Sequence, residues 1–174
     1  MTQLDGRWRP LAVVAATIAL LAVGCTPDRA PEPDGSSPEE PAITSDLDAK
    51  PDLLPLLPDD RGEPPDELVV EDLVAGDGAV AEPGADLIVH FVGAFWASGQ
   101  EFDASWDRGQ PFTFTLGAGE VIPGWEQGVA GMRVGGRRAL VVPPDLAYGE
   151  RGSAAIAPGE TLVFVVDLLE VSTG

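Results

Sequence analysis

The sequence predicts an α+β domain over residues 67–174, with about five antiparallel strands wrapped around one short helix. Three observations predict it. Punctuation is divided along the chain: residues 26–66 hold ten of the seventeen prolines, and residues 67–174 hold seventeen of the twenty-one glycines. The glycine-rich part carries short period-two or β-branched runs bounded by Gly or Pro, which is how strands read. Only one stretch has helical spacing. At 108 residues this part is long enough for one independent core, and the remainder of the 174-residue chain is too short for a second large domain.

The elements follow in order. The first strand is read over 67–74 (ELVVEDLV), closed by Ala75-Gly76-Asp77-Gly78. In DLIVHF, Leu87, Val89 and Phe91 share a face, which puts His90 on the other. Phe112-Thr113-Phe114-Thr115-Leu116 alternates apolar residues with Thr, and residues 137–142 (RRALVV) and 161–171 (TLVFVVDLLEV) complete the five. The helix is read from about Gly124 to Met132, where Trp125, Val129 and Met132 fall at helical intervals and form one buried stripe. Pro123 suits its first turn, and Gly135-Gly136 lie past its end. An antiparallel sheet with the helix laid on its apolar face satisfies this pattern.

Charge and composition exclude several functions. With 29 acidic against 10 basic side chains the net charge is −19, which argues against a nucleic-acid partner, since such binding needs Lys and Arg on phosphates. One cysteine makes neither an internal disulfide nor a thiolate cluster, and one histidine makes no His-pair metal centre. There is no GxSxG, P-loop or EF-hand spacing, and Gly117-Ala118-Gly119 lacks the third glycine of a dinucleotide loop. His90, out of phase with the apolar face, reads as a satisfied or solvent-facing histidine. No metal and no cofactor are expected.

The first 66 residues read differently. Arg7 and Arg9 precede an uncharged run from Leu11 to Val23. As a helix it would span roughly 20 Å against the ~30 Å of a hydrocarbon core, which is signal-peptide length. It ends in Ala22-Val23-Gly24-Cys25, and small residues before a lone cysteine resemble the bacterial lipobox. Residues 1–24 are therefore expected to be a lipoprotein signal peptide, with Cys25 the lipidation site. Ala22 stands where that motif most often has Leu. The alternative is an ordinary secretory signal, or an uncleaved anchor, with a chance cysteine. Residues 26–66 carry twelve acidic and three basic side chains and no aromatic residue. Such a stretch is expected to be a disordered tether, reaching about 35 Å as a coil and ~130 Å when stretched. Its one apolar cluster, Leu53, Leu54, Leu56 and Leu57, is broken by Pro55 and reads first as incidental loop leucines, with a weak docking segment as the alternative. The expected location is extracytoplasmic, lipid-anchored to the bacterial cell membrane.

Ten of the eleven aromatic residues fall between Phe91 and Phe164. Part of this is core, but so many rings with so little Met and Ile also suit an apolar pocket with a few polar groups at its mouth. Tyr148, in the loop PPDLAYGERG, is a reasonable rim donor, and Asp103, beside Phe102, is a second.

Taken in order, VHFVG, EFDASWDRGQPFTFTLGAGEVIPGWEQGVAGMRVG, PPDLAYGERG and TLVFVVDLLEV resemble the FKBP-type peptidyl-prolyl cis-trans isomerases across residues 67–174. The resemblance implies the same sheet-on-helix fold and an active site in an aromatic basin between them. It implies Trp125 as the floor, Phe112 and Phe164 as walls and Phe102 at one side. Val121 and Ile122 would line the basin, with the Ile122 N–H facing a substrate carbonyl. The Tyr148 hydroxyl would reach the ligand, Asp103 would sit at the polar edge near Arg108, and Ile156 would lie in the flap after Tyr148. Phe91 stands where the family usually has Tyr, so a hydroxyl that would orient Asp103 is missing. Leu146, Ser153 and Ala157 replace bulkier residues and should loosen one wall.

The implied activity is acceleration of X–Pro rotation in unfolded or partly folded exported proteins, by a monomer that also offers a site for macrolide ligands. Two rivals stand beside it. One is a proline-segment binding or chaperone module without turnover. The other is an envelope lipoprotein whose tether is the working part.

Overall fold

The structure, a computed structural model, describes residues 47, 49–54, 57 and 62–173. The signal-peptide and Cys25 expectations lie outside these residues, as does most of the tether. Six strands form one antiparallel sheet: β1 (Val69–Val74), β2 (Ala85–Phe95), β3 (Glu101–Ala104), β4 (Phe112–Thr115), β5 (Arg137–Val142) and β6 (Leu162–Thr173). The order is β1-β5-β6-β2-β3, with β4 also paired to β2. The long β2 organises the site. One side pairs with β6 from Ala85 to Phe95, and the other pairs with β4 through Asp86–Val89 and with β3 through Val92–Ala94.

Two elements differ from expectation. β3 adds a sixth strand: EFDA is too short to show a period, and two of its four residues are acidic. The helix α1 spans Pro123–Gly128 rather than running to Met132. Its last turn closes with Val129 N–H donating to the Trp125 carbonyl, and Gly131 at φ 78° turns the chain away. Trp125, Val129 and Met132 are nevertheless all buried, so the apolar stripe outlasts the regular helix. The helix lies close on β5 because its facing residues are glycines. A Cβ at Gly124 would fall 2.3 Å from Val142 Cγ1, and one at Gly128 2.7 Å from Leu140 Cδ2. Arg138 caps its far end, donating to the Gly128 carbonyl at 2.8 Å while gripping Asp72 of β1.

The sheet buries both faces. The inner face, under α1, holds Leu87, Val89, Phe91, Phe114, Leu140, Phe164, Val166 and Leu168. The outer face holds Val92, Ala94, Trp96, Ala104, Val141, Val163 and Val165, and Leu53 and Leu57 pack into it at 5% and 6% exposure. This corrects the reading of those two leucines as incidental. Two buried leucines do not by themselves offset the ordering of this segment, at about 1–2 kcal/mol per residue, so its polar contacts matter. One is on the same face, where Arg137 and Asp167 form a buried two-bond pair at 2.5 and 2.8 Å, and Arg137 also donates to the Ala49 carbonyl at 3.1 Å. Burial pushes the Asp167 carboxyl up, opposed by Arg137. His90, across from Asp167 on β2, stacks on Trp106 at 4.1 Å, on the face opposite Phe91 as its phase predicts.

Candidate active site

A cavity of about 380 Å³ opens between α1, β3, β4 and the loop after β5. Six aromatic side chains line it: Phe91, Phe102, Phe112, Trp125, Tyr148 and Phe164. Trp125, nearly fully buried, is the hub. Its ring meets Phe91 at 5.2 Å, Phe164 at 5.4 Å and Phe112 at 6.2 Å, each within 10° of perpendicular. Phe102 stands edge-on to Phe164 at 5.7 Å. Edge-to-face rings lock one another's orientation, so the basin is shaped by aromatic packing rather than by ligand. Phe112, at 37% exposure, and Tyr148, at 40%, stand at the open side.

Carboxylates in and before α1 set the loop that carries Val121 and Ile122. Glu126, next to Trp125, accepts hydrogen bonds from the Gly117 and Gly119 amides at 2.6 and 2.9 Å. Glu120 accepts from the Thr115 amide at 2.9 Å. The Ile122 carbonyl accepts from Trp125 and Glu126, while its own N–H, beside the cavity, has no partner among the described residues. The Tyr148 hydroxyl likewise has no hydrogen-bond partner among them. It sits where the chain enters a 3-10 turn, Gly149–Arg151, which is tied back by Gly152 N–H to the Tyr148 carbonyl at 3.1 Å.

Asp103 and Arg108 pair at the rim. The Arg108 guanidinium also lies over the Phe91 ring, 5.7 Å from its centre. Asp103 is thus oriented by a cation stacked on Phe91, in place of the hydroxyl a tyrosine there would supply.

Of the residues expected at the site, Tyr148, Asp103, Ile122, Phe91, Phe102, Phe112, Val121, Trp125 and Phe164 all line this cavity. Ile156 does not. Its side chain is buried in the inner core, and its carbonyl accepts from the Ser153 amide at 2.8 Å, which turns the flap back on itself. Glu120 also lines the cavity, and sequence reasoning passed over it. In so acidic a chain nothing marks one more glutamate, apart from its place two residues before Ile122.

Comparison with known proteins decides the family. The family model described as FKBP-type peptidyl-prolyl cis-trans isomerase matches residues 78–169, more than half of the chain. The chain belongs to this family. It is 58% identical over 112 residues to an FK506-binding protein of Streptomyces anulatus, covering 63% of this chain and 90% of that one. It is 51% identical over 94 residues to the peptidyl-prolyl cis-trans isomerase FPR2 of Saccharomyces cerevisiae, covering 53% and 70%. Among solved structures AtFKBP13 superposes with a TM-score of 0.55 at 40% identity, covering 59% of this chain and 91% of that one. The antiparallel sheet with one short helix is the FKBP fold. The chain is thus a peptidyl-prolyl cis-trans isomerase, an enzyme that acts on X–Pro bonds.

Proposed function

We propose that the aromatic cavity is where this isomerase turns the X–Pro bond, and that its polar rim holds the flanking peptide. One observation carries the assignment: six rings converge on one basin whose polar lining is confined to Asp103, Arg108, Glu120, Tyr148 and the Ile122 amide. The chemistry needs nothing more. Amide resonance sets a barrier of about 18–20 kcal/mol, lost and regained as the bond twists. A twisted amide is less polar at its C–N unit than a planar one, so a dry aromatic surface favours it over the ground state. Each ~1.36 kcal/mol of that preference is tenfold in rate. The prolyl ring would lie on Trp125 between Phe112 and Phe164. The Ile122 N–H and the Tyr148 hydroxyl, both free donors among the described residues, would hold carbonyls on either side while the bond rotates. The Asp103–Arg108 pair would close the polar edge.

Relatives named as FK506-binding proteins support a macrolide as an alternative occupant of the same basin. The substrates are exported polypeptides, and the enzyme works as a monomer on the extracytoplasmic face, held to the membrane through acylated Cys25. The apolar run Leu11–Val23 and the small residues before Cys25 support that location. Residues 25–66 form the tether and residues 67–174 the isomerase domain, with the docked leucines of the tether belonging structurally to the latter.

The test is turnover of a short Ala-Leu-Pro-Phe-type peptide by the wild type beside Tyr148→Phe and Asp103→Ala. Acceleration by the wild type, reduced severalfold in both variants, is expected. Full activity in both variants would remove the rim from the mechanism.

A further inference from the structure

We infer that Lys50, in the segment before the domain, is a positioning residue for the isomerase pocket, clamping the edge strand and turn that carry Phe102, Asp103 and Arg108. The inference rests on the cavity being the isomerase site. Three of the residues that line that cavity come from β3 and the 3-10 turn Trp106–Arg108. This part of the wall is weakly held. β3 has four residues, lies at the edge of the sheet and pairs only with β2, through a register irregularity between Gly93 and Ala94. An edge strand that short has no ladder on its far side to hold it.

Lys50 supplies a hold there. Its Nζ donates to Glu101 Oε1 at 2.8 Å and to Asp107 Oδ1 at 2.7 Å. Glu101 immediately precedes Phe102, and Asp107 immediately precedes Arg108. One ammonium therefore joins the start of β3 to the turn that follows it, with Asp103 of the rim pair inside the stretch so closed and Arg108 immediately after it. Without Lys50 the two carboxylates would repel one another across the same gap. Lys50 is itself held in place. The preceding carbonyl, of Ala49, accepts from buried Arg137, and Leu53 three residues on is seated in the outer core. The two hydrogen bonds also raise the Lys50 pKa and lower that of Asp107, as a shared proton donor should. Lys50 is the sole lysine of the chain, in a stretch otherwise rich in acid and proline.

The test uses the full chain. Lys50→Ala and Lys50→Arg are assayed for kcat/KM on an X–Pro peptide at low salt and at about 1 M NaCl, with the melting temperature of each followed in parallel. Lys50→Ala is expected to lower kcat/KM about threefold to fivefold at low salt, the scale of a partly exposed two-partner ion pair. Lys50→Arg should restore it, and high salt should narrow the gap between the wild type and Lys50→Ala, weakening the ion pairs of the one and screening the Glu101–Asp107 repulsion of the other. Wild-type activity in Lys50→Ala, or a loss that Lys50→Arg and salt do not track, overturns the inference. Asp103→Ala and Tyr148→Phe are run alongside. If they lose activity and Lys50→Ala does not, the clamp alone is refuted. If neither loses activity, the pocket assignment falls first.

Discussion

Gly93 is the position at which one methyl group should move two walls of the pocket. It lies on β2 opposite Phe164 of β6 on one side and Asp103 of β3 on the other. A Cβ built on it would stand 2.8 Å from Phe102 Cζ and 2.9 and 3.0 Å from Phe164 Cε1 and Cδ1. Ordinary contact begins near 3.4 Å, so in Gly93→Ala the Phe102 ring must retreat by about 0.6 Å and Phe164 by about 0.5 Å. Neither ring is free to do so cheaply, because each is locked edge-on to the other and Phe164 to Trp125. Overpacking of this kind costs about 1–3 kcal/mol, offset by roughly 0.4–1 kcal/mol from the stiffer unfolded chain. The net expectation is about 1–2 kcal/mol of destabilisation, or a melting temperature lower by roughly 5–10 °C. Catalysis should suffer more than stability. Misplacement of about 1 Å costs up to ~100-fold, so a shift of half that size should lower kcat/KM by about tenfold. The assays are a thermal melt and peptide turnover on the same preparation. A variant that melts lower yet turns over at the wild-type rate would show that Phe102 and Phe164 are packing residues and not the working surface. One unchanged in both would refute the rigidity argued for the walls.

Glu126→Ala removes the acceptor for two loop amides, a loss of about 1–2 kcal/mol, since the freed N–H groups can reach water. The Ile122 amide should lose its fixed position with it. A severalfold drop in kcat/KM, with faster hydrogen exchange at Gly117 and Gly119, is the expected outcome. The outer face gives a pH dependence. Desolvation lowers the His90 pKa from 6.5, with Asp167 opposing. Between that lowered value and 6.5 the unfolded chain binds more protons than the folded one, so stability should fall as pH drops below about 6.5. Urea melts at neutral and mildly acid pH would show this slope, and His90→Gln should flatten it.

Much of the site was legible because it rests on residue type at fixed spacing. The Trp125, Val129 and Met132 stripe located the helix and its buried face, and the phase of Leu87, Val89 and Phe91 sent His90 to the opposite side of the sheet, where it stacks on Trp106. Ile156 lies in the loop after Tyr148 as expected, but its side chain faces the core. Its order in the chain after Tyr148 says that it belongs to the flap, but not that Ser153 and Ile156 close on each other and turn its side chain into the core. That is a local backbone outcome with no periodic trace. β3 escaped on length alone, since four residues with two acids carry no alternation.

The docked leucines are a case where the trace existed and its weight was misjudged. A strand with one wet face alternates, whereas one buried on both faces reads as a continuous apolar run. Residues 162–166 (LVFVV) are such a run, and their burial is complete on both sides: Leu162, Phe164 and Val166 in the inner core, Val163 and Val165 in the outer. A single short helix covers only one face. Something else had to cover the other. Trp96 and Trp106 supply part of that cover, and the apolar cluster preceding β1, represented among the described residues by Leu53, Leu54 and Leu57, was the remaining source. Leu53 and Leu57 turn in while Leu54, at 61% exposure, turns out. The acid and proline around them describe a chain with little tendency to order by itself. That is a statement about the isolated segment, and it does not weigh the unpartnered sheet face waiting beside it.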